Sequence, residues 1–186
     1  FKMYKEYGIE IPKDIAGLMV SAIVSDTLLF KSPTCTQQDI EAATELARIA
    51  EIDVNSYGLE MLKAGTNLST KSEAELIDLD AKSFPMGSYN MRIAQVNVVD
   101  EQELLARREA LEFSMKEANA THGYDTFLLV VTNILTSVST GLVVGEALDT
   151  VAKAFNTEYE NGLLILPGVV SRKKQVVPPL TVAFEN

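Results

Sequence analysis

An α/β fold with a mixed sheet is expected from three features of the chain. The run Thr126 to Leu135 is almost continuously apolar, as in a strand buried on both faces. From residue 72 onward, strand patterns alternate with helical ones, the order that places helices against a sheet. A polar stretch from Gly65 to Lys71, with Asn67, Ser69 and Thr70, separates these elements from three helical segments before it and marks an expected linker.

In chain order, residues 12–30 predict a first helix. Ile15, Leu18, Met19, Ala22, Ile23, Leu29 and Phe30 recur at helical spacing, and Pro12 suits a first turn. Ser32-Pro33-Thr34 breaks the pattern, and Thr36 can cap a second helix whose apolar set is Ile40, Ala43, Leu46, Ala47 and Ala50. A short third helix fits Ser56 to Ala64 and a brief one Ser72 to Leu79. Ser83 to Val99 reads as a hairpin turning at Gly87-Ser88, with Ile93, Val96 and Val98 in its second arm. A single long amphipathic helix is expected from Asp100 to about Asn119. After the central strand come a short strand at Gly141 to Val144, a helix from Glu146 to Phe155, a strand from Leu163 to Val170 kinked at Pro167-Gly168, and a last helix from Val176 to Phe184.

The 186 residues, 47% hydrophobic and 23% charged, suit one globular domain or two small ones. A formal charge of −10 disfavours nucleic acid and anionic membranes as partners, because their phosphates are repelled by such a field. Asp26 and Lys31 interrupt the most apolar stretch, so no spanning helix is expected, and the start lacks a secretory signal; the chain reads as cytoplasmic. Asn67-Leu-Ser and Asn119-Ala-Thr then count as chance glycosylation triplets. Phe1 in place of an initiator Met suggests a fragment.

Glycine-rich phosphate loops, dinucleotide fingerprints, paired-cysteine zinc spacings and serine elbows are absent from the sequence. The lone His122 reads as a solvent-facing helix end, and Cys35 as a buried or semi-buried spectator. Asp26 is more informative. It continues the stripe of Leu18, Met19, Ala22, Ile23 and Leu29, which would aim a carboxylate into an apolar face, and that burial costs several kcal/mol unless a metal or donor set offsets it. A metal and a set of local backbone amides weigh equally as its partner. A second anomaly is the run Arg172-Lys173-Lys174, in a stretch from Asn161 to Phe184 that has no acid. An Arg beside lysines suits a phosphate, by bidentate donation and by point charge; a solvated basic turn is the plainer alternative.

Two segments resemble the manganese-dependent, or family II, inorganic pyrophosphatases of the DHH phosphoesterases: Ala16-Gly-Leu-Met-Val-Ser-Ala-Ile-Val-Ser-Asp-Thr-Leu-Leu-Phe-Lys-Ser-Pro-Thr-Cys-Thr36 and Gly168-Val-Val-Ser-Arg-Lys-Lys-Gln-Val-Val-Pro178. Between them Tyr57 to Gly65, Leu79-Asp-Ala-Lys-Ser-Phe84 and Ile93-Ala-Gln-Val-Asn97 follow in the family's order. The resemblance implies that residues 1–64 are the helical tail of an N-terminal α/β catalytic domain, 65–71 a linker, and 72–186 the DHH-associated substrate-binding domain. It implies that Asp26 is a metal ligand and that Lys82, Arg172 and Lys173 bind the substrate phosphates; Lys174 receives no role. The cofactor implied is manganese, with magnesium or cobalt as substitutes, the substrate pyrophosphate, and the full-length assembly a homodimer.

The family's other metal ligands, in His-x-x-x-Asp-x-Asp and Asp-His-His motifs, have no counterpart here. This chain alone is therefore expected to be inactive and to need the missing N-terminal catalytic half, over which the substrate-binding domain would close by a hinge. An exopolyphosphatase-like DHH enzyme and a non-catalytic anion-binding or interaction module are the alternatives.

Overall fold

The structure is a computed structural model that describes residues 1–66 and 68–185. The chain folds as two compact units, Phe1–Thr66 and Asn67–Asn186. Asn67, which belongs to the expected linker and to one Asn-Leu-Ser triplet, lies outside the described residues.

The first unit is helical: α1 (Lys2–Glu6), α2 (Lys13–Thr27), α3 (Gln37–Ala50) and α4 (Val54–Gly65). Thr36 caps α3 through a reciprocal box with Asp39, as its position in the sequence predicts, and Asp53 caps α4. The Thr36 hydroxyl, then its backbone amide, hold the Asp39 carboxyl below its ordinary pKa. The core joins Ala16, Val20 and Val24 of α2 to Leu46, Ala47 and Ala50 of α3.

That core corrects the expected face of α2. Ala16, Val20, Val24 and Thr27 are buried, while Leu18 is 67% exposed and Asp26 is exposed. Asp26 therefore carries no burial penalty that a metal would have to offset. Small residues made the error: alanines on both sides of the helix blur the pattern, and Ala16 permits close packing where Leu18 does not. The helix also stops at Thr27 rather than Phe30, because Leu28, Leu29 and Phe30 take left-handed φ values of 48°, 51° and 67°. The Thr27 hydroxyl bridges the stop, donating to Ile23 O at 2.6 Å and accepting from Phe30 N–H at 3.2 Å.

In the second unit, α5 (Glu73–Asp78) opens on a capping box between Ser72 and Glu75. Next come β1 (Ala81–Met86) and β2 (Tyr89–Val98), joined at Gly87-Ser88 with Met86 opposite Tyr89. The expected long helix is two, α6 (Gln102–Leu105) and α7 (Arg108–His122), broken at Ala106-Arg107. There the Arg107 guanidinium turns aside to Lys71 O at 2.7 Å and Glu73 Oε1 at 2.9 Å. Then follow β3 (Thr126–Asn133), β4 (Val138–Gly145), α8 (Leu148–Ala154), β5 (Tyr159–Glu160), β6 (Leu163–Pro167), a single π-turn (Arg172–Val176) and α9 (Val177–Glu185).

Among the described residues the strands make one six-stranded sheet in the order β1-β2-β3-β4-β6-β5. Only the β2–β3 pairing is parallel, with α6 and α7 forming its crossover. All eight residues of β3 are buried, as an apolar run without alternation requires. One face packs Ala94, Val96, Leu129 and Leu142 under α5 and α7, and the other packs Ile93, Leu128, Val130 and Leu164 under α8 and α9. The observed architecture is the expected one: helices, then a mixed sheet flanked by helices.

Burial pushes the Tyr159 phenol up to about 12, with Asp149 adding to the shift, and its hydroxyl donates to Leu148 O at 3.0 Å. A phenol whose pKa is higher folded than unfolded stabilises the fold below the unfolded value, near 10, and loses that contribution as pH climbs towards 12. In an alkaline absorbance titration one of the six tyrosines is therefore expected to ionise near pH 12, and to drop to about 10 on unfolding.

Candidate anion-binding site

The segment after β6 folds back over strand β2. Gly168 takes φ 73°, residues 168–171 run without strand pairing, and the π-turn then carries Arg172 and Lys173. Single π-turns inside or beside helices are rare and recur at functional sites. Ser171 starts this one, its hydroxyl accepting from Lys174 N–H at 3.4 Å.

Arg172 is held at its head by groups 79 and 92 residues away. Nη1 donates to the backbone oxygen of Asp80 and to Ile93 O at 3.4 Å, and Nη2 to Asp80 Oδ1 at 2.8 Å. The Arg172 side chain is 10% exposed and that of Asp80 60%, so the pair sits at the rim of unit two with the carboxylate in water. A guanidinium has about five N–H donors. The contacts named leave Nε–H and one Nη2–H, the side-on fork that fits two oxygens of a phosphate.

Lys82 stands on β1 opposite Ile93, the residue whose carbonyl meets Arg172. Strand alternation puts Lys82 on the same face as Asp80, Phe84 and Met86, the face covered by α9. Lys82 and Lys173 are exposed. The structure thus brings Arg172 against the residues that frame Lys82, with Lys173 next in the chain.

Asp26 lies in the last turn of α2 in the first unit. Among the described residues no group of three or more His, Cys, Asp or Glu is placed to hold a metal. One exposed carboxylate does not make a manganese site, so the residues of this chain do not by themselves fit that ion. Cys35 is half-buried, its thiol pushed up by burial and then by Asp39, which suits a spectator. His122 is exposed at the end of α7, its ring centred 5.6 Å from that of Tyr124 and tilted by 35°. It borders a groove of about 500 Å³ with Asp78, Arg92 and Glu117.

Sequence reasoning missed the polar residues beneath the π-turn. Gln95 Oε1 accepts from Arg172 N–H at 2.9 Å, while its Nε2 donates to Thr132 Oγ1 at 2.9 Å and Val170 O at 3.0 Å. Thr132 and Ser139, both buried, share a hydrogen bond at 2.8 Å, and Ser139 Oγ donates to Val169 O at 2.6 Å. Gln175 accepts from the amides of Val170 and Ser171 and donates to Gly168 O at 2.7 Å. The available signal was Gln95 and Asn97 at alternate positions of the otherwise apolar stretch 93–98. Asn97 Oδ1 is buried with no partner among the described residues.

Comparison with known proteins places the chain in a family. The chain is 59% identical over its whole length to a "probable manganese-dependent inorganic pyrophosphatase" of Lactobacillus gasseri, and 58% identical over 99% of its length to one of Enterococcus faecalis. In each case it spans 60% of the relative's length, the C-terminal part. A crystal structure from Methanococcus jannaschii, of a protein provisionally assigned to the family II inorganic pyrophosphatases, superposes with a TM-score of 0.82 at 41% identity. That match covers 95% of this chain and 58% of the other. Residues 59–183, which include Lys82 and the whole π-turn, match the DHHA2 domain, and the chain belongs to that family.

Proposed function

We propose that this chain is the C-terminal, substrate-gripping portion of a manganese-dependent inorganic pyrophosphatase, an enzyme that splits pyrophosphate into two phosphates. Residues 1–64 then belong to the catalytic domain of the whole enzyme, and 72–186 form its substrate-binding domain. The observation that carries the reading is the guanidinium of Arg172, oriented by Asp80 and Ile93 with two donors left over from those contacts, where Lys82 stands opposite Ile93 and Lys173 follows in the chain. The names of relatives near 59% identity supply the reaction and the metal.

In this role Arg172 donates to two oxygens of one phosphoryl group, and Lys82 and Lys173 act as point charges on the remaining oxygens. Such donors stabilise charge that builds on the leaving phosphate as the P–O–P bond opens. Arg172 is held before substrate arrives, which lowers the ordering cost of binding. The protein's net charge of −10 keeps other anion sites scarce, so the cationic edge stands out as the place for a polyanion. Asp26 would offer manganese one carboxylate, and the ion would take its other donors from outside this chain. No helix among the described residues is long and apolar enough to cross a membrane.

The test combines this chain with a fragment equivalent to the remaining N-terminal part of the Lactobacillus gasseri relative and follows phosphate release from pyrophosphate. Release is expected only when both pieces and manganese are present, with neither piece active alone. Turnover by the 186-residue chain alone, or silence from a correctly associated pair, would contradict the proposal.

A further inference from the structure

We propose that Gln95 is the positioning residue of the phosphate grip: its side-chain amide sets the Arg172 backbone so that the guanidinium reaches its place. This inference rests on the reading of Arg172 as a phosphate ligand. Strand β2 holds Arg172 at both ends. Ile93 gives a backbone carbonyl to the head at 3.4 Å, and Gln95, two residues on and on the same face, takes the Arg172 amide at 2.9 Å. The Gln95 backbone N–H also donates at 3.0 Å to the carbonyl of Asp80 that receives Arg172 Nη1. A single residue therefore touches both the backbone of the cation and the group that aims its head.

The bonding pattern separates Gln95 from its neighbours. Between Pro167 and Arg172 the chain lacks strand pairing, and side chains serve its polar groups: Gln175 the amides of Val170 and Ser171, Ser139 the carbonyl of Val169, and Gln95 the carbonyl of Val170. Of these, Gln95 alone bonds to Arg172 itself. Its primary amide is matched to the place: Oε1 faces a donor while Nε2 faces two acceptors, Thr132 Oγ1 and Val170 O. Glutamate keeps the acceptor and loses both donors, and methionine keeps the length and loses both functions.

The experiment measures pyrophosphate affinity by calorimetry on the 186-residue chain, together with hydrogen exchange at the Arg172 amide and at amides of β3. Gln95→Met is expected to weaken pyrophosphate binding about 10-fold and to speed exchange at Arg172 by a similar factor, with β3 amides unchanged. Gln95→Glu, which can still accept from Arg172 N–H, should recover part of both. Should Gln95→Met fail to fold, Thr132→Val removes one partner of the Gln95 amide and spares every Arg172 contact, with an expected weakening of about 3-fold. Wild-type affinity in Gln95→Met, with Arg172 exchange accelerated, would overturn the positioning role and leave the grip standing. A wild-type chain that binds no pyrophosphate would overturn both.

Discussion

Arg172→Ala is expected to weaken pyrophosphate binding by about 100-fold, equivalent to about 3 kcal/mol, because it deletes a bidentate charge-assisted pair at a guanidinium that is 10% exposed. Arg172→Lys keeps the charge but cannot serve Asp80, Ile93 and a phosphate together, so a loss of about 10-fold is expected. The same changes should cost the fold little. Asp80 is 60% exposed and rehydrates once its partner is gone, so its ion pair contributes no more than about 1 kcal/mol after solvent screening. Titration of each variant with pyrophosphate, alongside thermal unfolding, separates the two effects: affinity should collapse while the midpoint moves by a few degrees.

Gly145→Val is expected to be the most damaging single change to the second unit. Gly145 ends β4 at φ 116°, a backbone region that side-chain-bearing residues rarely adopt. A Cβ placed there would meet Asp125 O at 2.2 Å and the Thr126 Cα at 2.9 Å. Both clashes are with the backbone at the start of the central strand, and Asp125 O already accepts from Glu146 N–H at 2.8 Å, so neither can yield by a rotamer change. Strain and steric overlap together should cost about 3–5 kcal/mol and lower the melting temperature by about 10–20 °C, measured by calorimetry. A variant that melted within a few degrees of wild type would show that the β3–β4 end relaxes far more freely than its packing indicates.

The extent to which sequence anticipated structure follows from the range of the forces involved. β3 was legible because eight consecutive buried positions leave an unbroken apolar run, and the β1–β2 hairpin because Gly87 supplies the turn's positive φ of 59°. The start of α3 was legible because Thr36 and Asp39 cap it within three residues. Strand β4 was seen only at Gly141 to Val144 because Ser139 and Thr140 hide its first half. They read as polar, yet both are buried, with Ser139 satisfied by Thr132 and Val169 O across the sheet. The face of α2 was misread because Leu18 and Ala22 lie exposed and no local pattern distinguishes them from the buried Ala16 and Val20.

At the candidate site, the run of Arg172 and Lys173 announced itself by charge. Lys82 has its expected role through resemblance alone. Gln95 stood out only as a polar residue in an apolar stretch and Asp80 not at all, since their partners lie 77 and 92 residues away and meet only through the fold. A strand glutamine otherwise reads as the polar half of an alternating pattern.

The central claim is that the edge formed by Lys82, Arg172 and Lys173 grips pyrophosphate, and a calorimetric titration of the 186-residue chain with pyrophosphate tests it most directly. A saturable heat at one site per chain is predicted, weakening as salt rises and vanishing in the triple variant Lys82→Ala, Arg172→Ala, Lys173→Ala. No saturable heat with the wild-type chain, or equal binding by the triple variant, would contradict the account.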